Sequence, residues 1–395
     1  MKQVIQNYKT GRLKVEQVPK PLVKNNTVLI KTQSSLISAG TERTKIETAQ
    51  MSLIEKAISR LDLVKILLNN IKQEGIVFTF KKAFNKLNTP ITLGYSCAGE
   101  VLEKGDRVED IRVGDRVACI GEIYAAHAEY NNVPIDYTVK IPDNLSYEHA
   151  SFAGLGAIAL NSVEITQLKH GEKVVVIGLG LLGQIVIQIL KARGCSVLGI
   201  EIDDAKIDLA KSLGMEYGLN PLKDNIEGGV YSFTDNLGAD AVIITAASKN
   251  NLPIEIAGRV SRNKGRVILV GAMPIELPRN NYYEKELTFM ISRGFGADLY
   301  YKIEDSRYYA YNYRPFSMKE NVNNFIQLLS SKKVVVDALI SHKFSLFEAE
   351  KAYDLIKTNK ERYIGILFTY NELDKSIEQS KIQINPVEKK EGNSK

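Results

Sequence analysis

The stretch Val174-Val-Val-Ile-Gly-Leu-Gly-Leu-Leu-Gly183 decides the fold. An apolar, β-branched run leads into Gly178, Gly180 and Gly183, and a segment of helical character, Gln184 to Lys191, follows. A glycine triad with this spacing says little by itself. Set between a strand pattern and a helix pattern, it reads as a dinucleotide-binding turn. The first glycine permits the tight turn, the second lets backbone reach a pyrophosphate, and the third lets helix pack on strand. Leu181, Leu182 and Gly183 open the helix, where unpaired N–H groups and the helix dipole favour phosphate. The plainer reading is a glycine-rich strand–helix turn that holds no ligand.

The next segment adds a second signal. Cys195-Ser-Val-Leu-Gly-Ile-Glu201 reads as the following strand, ending in an acid. Glu201 lies 18 residues past Gly183, near the expected offset of about 20. A carboxylate there accepts hydrogen bonds from both adenosine ribose hydroxyls and repels a 2′-phosphate, so NAD is favoured over NADP. Asp203 and Asp204 add negative charge, and Lys206 is the nearest cation. The plainer reading of Glu201 is a solvated carboxylate at a strand end.

Composition narrows the function classes. The chain has 395 residues, 44% hydrophobic and 25% charged, the balance of an ordinary globular protein of two or three domains. The net charge is +6, but the basic residues are dispersed, whereas nucleic acid needs a concentrated stripe. No apolar run of about 18 residues and no signal-peptide pattern at Met1–Leu22 are present, so a cytoplasmic protein without a membrane partner is expected. Cys97, Cys119 and Cys195 have no CxxC spacing and read as buried neutral thiols.

Before residue 150 the chain alternates in short strand-like pieces, among them Asn26–Lys31, Cys97–Leu102, Val113–Ala118, His127–Tyr130 and Thr138–Pro142. This is the behaviour of a small β-barrel. A helical insert spans about 44–90, with Met51, Ile54, Ile58, Leu61, Val64, Leu67, Leu68 and Ile71 at helical steps. Its stripe is expected to pack on the body of the protein, with a partner surface as the alternative. From Val174 the rhythm becomes strand–helix alternation, which predicts a doubly wound parallel sheet. After about Ala297 comes an irregular, tyrosine-rich stretch. Helices at Lys319–Ser330 and Leu346–Lys357 and a strand at Ile364–Phe368 follow, and residues from about 371 are expected to be disordered.

Gly114-Asp-Arg-Val117, His127-Ala-Glu-Tyr130, the glycine triad and Val270-Gly-Ala272, in that order, resemble the medium-chain dehydrogenase/reductase superfamily. These are the zinc alcohol dehydrogenase relatives with a GroES-like domain. The resemblance covers roughly residues 1–370. It implies an α/β chain: a GroES-like β-barrel catalytic domain over 1–153, a Rossmann domain over 154–296, and a return segment over 297–370 that completes the first domain. The substrate cleft then lies between the domains, and a homodimer through the cofactor domain's sheet edge is expected. The resemblance also assigns the nicotinamide to the backbone of Gly271-Ala272 and of Ser292-Arg293-Gly294.

The departure from the family is the metal site. Where its motifs carry zinc ligands, this chain has Ala39, Tyr95 and Phe152, none a usual ligand. The cysteines of the structural zinc lobe are also missing, so no zinc is expected; a site rebuilt from Glu42 and His127 is the alternative. Ser38-Ala-Gly-Thr-Glu-Arg-Thr44 and Gly94-Tyr-Ser-Cys-Ala-Gly99 resemble a zinc-less bacterial branch associated with sugar and polysaccharide metabolism.

Without a metal, protein donors must stabilise the charge that develops on a carbinol oxygen, and a proton acceptor must be in reach. Thr41 matches the family's proton-relay hydroxyl, and Tyr95 replaces a ligand histidine. Glu42 stands where an acid supports the metal ligands, free to orient Tyr95 or act as base, and His127 suits acid–base work. Each has a plainer reading: Tyr95 as filler, Thr41 as a turn residue, His127 as a hydrogen-bonded barrel residue, and Glu42 as a partner of Arg43 or Arg293. The tyrosines of 300–313, with Arg307 and Arg314, suit a polar or anionic substrate at the cleft mouth.

The expected activity is NAD-dependent interconversion of a secondary alcohol and a ketone on a sugar, polyol or nucleotide sugar. The alternatives are an NADPH-dependent quinone or enoyl reductase and a non-catalytic dinucleotide-binding sensor or scaffold.

Overall fold

The computed structural model describes residues 1–7, 11–50, 75, 90–296 and 317–370. Most of the 44–90 insert, the tyrosine-rich 300–313 stretch and the 371–395 tail therefore lie outside the described residues.

Among the described residues the first half carries eight strands: β1 (Lys2–Asn7), β2 (Leu13–Gln17), β3 (Thr27–Ile37), β4 (Pro90–Thr92), β5 (Ser96–Lys104), β6 (Arg116–Ile120), β7 (Tyr130–Pro134) and β8 (Thr138–Lys140). β2, β1 and β4 make a small sheet. The predicted strand at His127–Tyr130 is absent, because its backbone bonds two different elements: the His127 amide donates to Leu93 O at 2.8 Å and its carbonyl accepts from Val4 N at 2.9 Å. Ala128 makes an isolated bridge to Gln3, and regular pairing begins at Tyr130.

The second half alternates as the sequence predicts. Its strands are β9 (Lys173–Ile177), β10 (Ser196–Ile200), β11 (Tyr217–Leu219), β12 (Ala239–Ile244), β13 (Ser261–Leu269) and β14 (Thr288–Ile291). All pairs are parallel, in the spatial order β11-β10-β9-β12-β13-β14. This is the doubly wound arrangement with its switch point beside the first strand, where dinucleotides bind. Val174, Val175 and Val176 are each fully buried, because helices cover both faces of a parallel sheet. Each such side chain contributes about 1.5–3 kcal/mol by leaving water.

After the glycine half the chain returns to the first. β15 (Ile340–Ser345) and β16 (Gly365–Thr369) join the larger sheet of the first half, ordered β15-β16-β3-β5-β6-β8, with β7 also on β3. β16 is antiparallel to β3, with Ile366 opposite Ile37 and Phe368 opposite Ser35. Among the described residues the largest of four apolar clusters runs from Leu36, Ala98 and Ile120 of the barrel through the helix Ala153–Glu164 to Val174, Val176 and Phe325. All three cysteines are buried, and burial raises the Cys195 thiol pKa. Among the described residues no helix is long and apolar enough to cross a membrane.

Candidate functional site

The glycine turn is built as its spacing requires. Gly178 has φ +96°, and a Cβ there would lie 2.6 Å from the Ala246 amide nitrogen. A Cβ on Gly183 would lie 2.1 Å from the Gly178 carbonyl oxygen. Around Gly180 nothing lies within 4 Å of such an atom, so this position faces open space. Gly180 is also the N-cap of the helix Leu181–Ala192, and no side chain caps it. The first-turn amides, those of Leu181, Leu182 and Gly183 among them, are thus left for an anion.

Glu201 stands beside this turn. Its Oε2 accepts from the Leu179 amide at 2.8 Å, and its Oε1 from the Ile202 and Asp203 amides at 2.9 and 3.3 Å. Asp203 caps the next helix through Ala205, and Asp204 pairs with Asn220 and Lys223, so neither acid stands loose beside Glu201. The Lys206 carbonyl accepts from the buried Gln184 amide group at 2.9 Å, tying the second helix to the first. An open cradle at Gly180, an uncapped helix start and a strand-end carboxylate together fit a dinucleotide.

The opposite wall is backbone. The Ser248 amide donates to Ala272 O at 3.1 Å, and a Cβ on Gly271 would lie 1.8 Å from Ala246 O. Asn161 donates to Ser292 Oγ at 3.1 Å and to Gly294 O at 3.5 Å, and Asn321 donates to Phe295 O at 2.9 Å. The segment carrying Arg293, whose side chain is exposed, is thereby fixed by two buried amides. Phe295 meets Tyr95 with ring centroids 5.8 Å apart, joining this wall to the first half.

Tyr95 is 4% exposed, and its hydroxyl makes no hydrogen bond among the described residues. The Ser38 and Thr41 side chains stand close enough to ease its ionisation slightly. Burial, aided by the nearby Glu42 charge, dominates and holds the phenol well above its ordinary pKa. Thr41 is exposed in the first turn of the helix Ala39–Gln50 and accepts from Ser38 Oγ at 3.2 Å.

Glu42 and His127 are together but sealed, 1% and 0% exposed. Glu42 Oε1 takes the Ser38 amide at 3.1 Å and lies 3.3 Å from His127 Nε2; its Oε2 accepts from Tyr353 at 2.5 Å. On the far side His127 Nδ1 lies 2.7 Å from Ser35 Oγ, itself 2.7 Å from the Tyr370 hydroxyl. Sequence reasoning missed Ser35, Ser38, Tyr353, Tyr370 and Phe295. The available signal was the placement of tyrosines on otherwise apolar faces, since a buried phenol usually finds a partner.

These residues do not fit zinc. Ala39 and Phe152 offer no donor atom, Glu42 and His127 are already bonded to each other, and the described residues hold no group of three metal-ligating side chains.

Residues 62–143 match the alcohol dehydrogenase GroES-like domain, and residues 182–306 match the zinc-binding dehydrogenase family. Together the two matches make the chain similar to the zinc-type alcohol dehydrogenase-like medium-chain superfamily. An alcohol dehydrogenase of Geobacillus stearothermophilus is 32% identical over 222 residues, 49% of this chain and 64% of that protein. The match thus spans less than two thirds of that relative. The D-arabitol-phosphate dehydrogenase of Enterococcus avium is 24% identical over 79% of this chain and 92% of its own length. Galactitol-1-phosphate dehydrogenase from Escherichia coli superposes with a TM-score of 0.71 at 20% identity, covering 93% of this chain and 100% of that one, which shows a shared fold. The chain combines a GroES-like half with a parallel-sheet Rossmann-like half, as these relatives do.

Proposed function

We propose that this chain is a zinc-independent, NAD-dependent oxidoreductase that interconverts a secondary alcohol and a ketone on a sugar, polyol or nucleotide sugar. The observation that carries this reading is the buried, unpartnered Tyr95 phenol beside Phe295. A buried hydroxyl without a partner is costly unless a ligand completes it. With its pKa held high, the phenol keeps its proton and donates to the substrate oxygen, where relatives use a metal. Thr41, exposed and hydrogen-bonded to Ser38, relays the proton between the substrate oxygen and solvent, giving up its own hydroxyl proton as it accepts one.

The Gly178–Gly183 turn holds the cofactor's pyrophosphate, Glu201 its adenosine ribose, and the backbone of Gly271-Ala272 and Ser292–Gly294 its nicotinamide end. When bound, the nicotinamide ring supplies the carbon that gives or takes the hydride. The buried Tyr95–Phe295 contact keeps water from that end of the site. Two relatives named for polyol phosphates support a phosphorylated polyol as the first substrate to try. A homodimer is supported by the outer strand β14, where Ile291 is 60% exposed.

The test is a titration of chelator-treated protein with NADH and with NADPH, followed by coenzyme fluorescence because the chain has no tryptophan. A screen of polyols, sugars and their phosphates follows. Tighter NADH binding with metal-independent turnover is expected. Tighter NADPH binding with quinone reduction would put the reductase in its place, and binding of neither coenzyme would leave a scaffold.

A further inference from the structure

The hydrogen bonds around Glu42 can be ordered. A carboxylate only accepts, so His127 Nε2, 3.3 Å away, bonds it by carrying the proton. Nδ1 then has two options toward Ser35. If it is bare, Ser35 donates to it, and the Ser35 oxygen accepts from Tyr370. If it is protonated, Ser35 must turn to Tyr370, whose own proton then has no acceptor among the described residues. Only the first arrangement satisfies every group, and buried polar groups rarely go unsatisfied. The chain therefore runs Tyr370 to Ser35 to neutral His127 to Glu42, with Tyr353 and the Ser38 amide donating to the same carboxylate.

Resting on the oxidoreductase reading, we infer that Tyr353 is a positioning residue of the site: with His127 it pins Glu42, which holds Ser38, whose hydroxyl holds Thr41. His127 is then an anchor, not an acid or base in the reaction. Without the Tyr353 hydroxyl, Glu42 Oε2 is a buried acceptor lacking its donor, and the carboxylate is free to turn away from the Ser38 amide.

Two readouts test this. The first needs no substrate: ring-nitrogen NMR of His127, assigned with His127→Asn, at neutral pH. A bare Nδ1 and a protonated Nε2 are expected; the other tautomer or an imidazolium would overturn the ordering. The second is steady-state kinetics of Tyr353→Phe. A fall in kcat of about tenfold, with cofactor Kd unchanged, is expected from one hydrogen bond to a charged group. Wild-type kcat in a folded Tyr353→Phe overturns the positioning role. Should that variant not fold, Ser38→Ala breaks the same link one step on and carries the same expectation. A wild type with no turnover on any alcohol overturns the oxidoreductase reading and the positioning role with it, while the tautomer result stands on its own.

Discussion

Glu201 Oε2 holds the Leu179 amide at 2.8 Å, so the strand-end acid and the glycine turn are already joined without a ligand. The carboxylate thus sets the turn's shape as well as its charge. Glu201→Ala is expected to weaken NADH binding by roughly tenfold to a hundredfold, the worth of hydrogen bonds to a charged group. NADPH binding should fall less, because the repulsion of its 2′-phosphate goes too. Fluorescence titration with both coenzymes checks this, and equal losses would leave Glu201 a structural acceptor.

Tyr95→Phe separates chemistry from stability. The hydroxyl it removes has no partner among the described residues, so the thermal midpoint should hold or rise. Turnover should drop by about a hundredfold, the lower range for losing a donor to a developing oxyanion, with cofactor affinity intact. An unchanged turnover would reduce Tyr95 to packing.

The glycine turn offers a matched pair of variants. Gly180→Ala adds a methyl group into open space at an uncapped helix start, so folding should be near normal while coenzyme binding falls. Gly183→Ala drives a Cβ against the Gly178 carbonyl and should cost about 1–3 kcal/mol of stability. Thermal melts beside coenzyme titrations read both, and a Gly180→Ala variant that binds like wild type would empty the cradle of its proposed ligand.

Alkaline pH should unfold the protein early. Burial holds the phenols of Tyr95, Tyr353 and Tyr370 above the ordinary value of 10.0. Above that pH the unfolded chain releases protons that the folded chain keeps, so stability falls as pH rises. The slope is about 1.4 kcal/mol per pH unit for each such group. Denaturant midpoints at pH 9, 10 and 11 check the sign, and a flat series would mean these phenols ionise in place.

Much of the parallel sheet was legible because its strands are continuous apolar runs punctuated by glycine. The strand at Lys173–Ile177 and the helix Leu252–Val260 emerge where the pattern put them. The helix Ala153–Glu164 was missed, being buried nearly all round and hence without an amphipathic period. The helix Ile226–Phe233 was missed because Gly228 and Gly229 interrupt it, and β11 and β14 because three and four residues are too few to show an alternation. At the site, residue types pointed to Thr41, Glu42, Tyr95 and His127, but not to their partners. Tyr353 meets Glu42 across 311 positions and Tyr370 meets Ser35 across 335, separations at which no local pattern carries information.

The position of β16 between β15 and β3 has a consequence for how the protein is born. The ribosome releases residues 34–37 long before it makes residues 366–369, their pairing partners. At ordinary synthesis rates the interval is on the order of tens of seconds. Throughout it Leu36 and Ile37 stand on an open strand edge, the kind of edge that recruits other chains. The half of the molecule made first is thus the last to close, and the nascent chain's exposure to aggregation is set by the distance between two strands that end as neighbours.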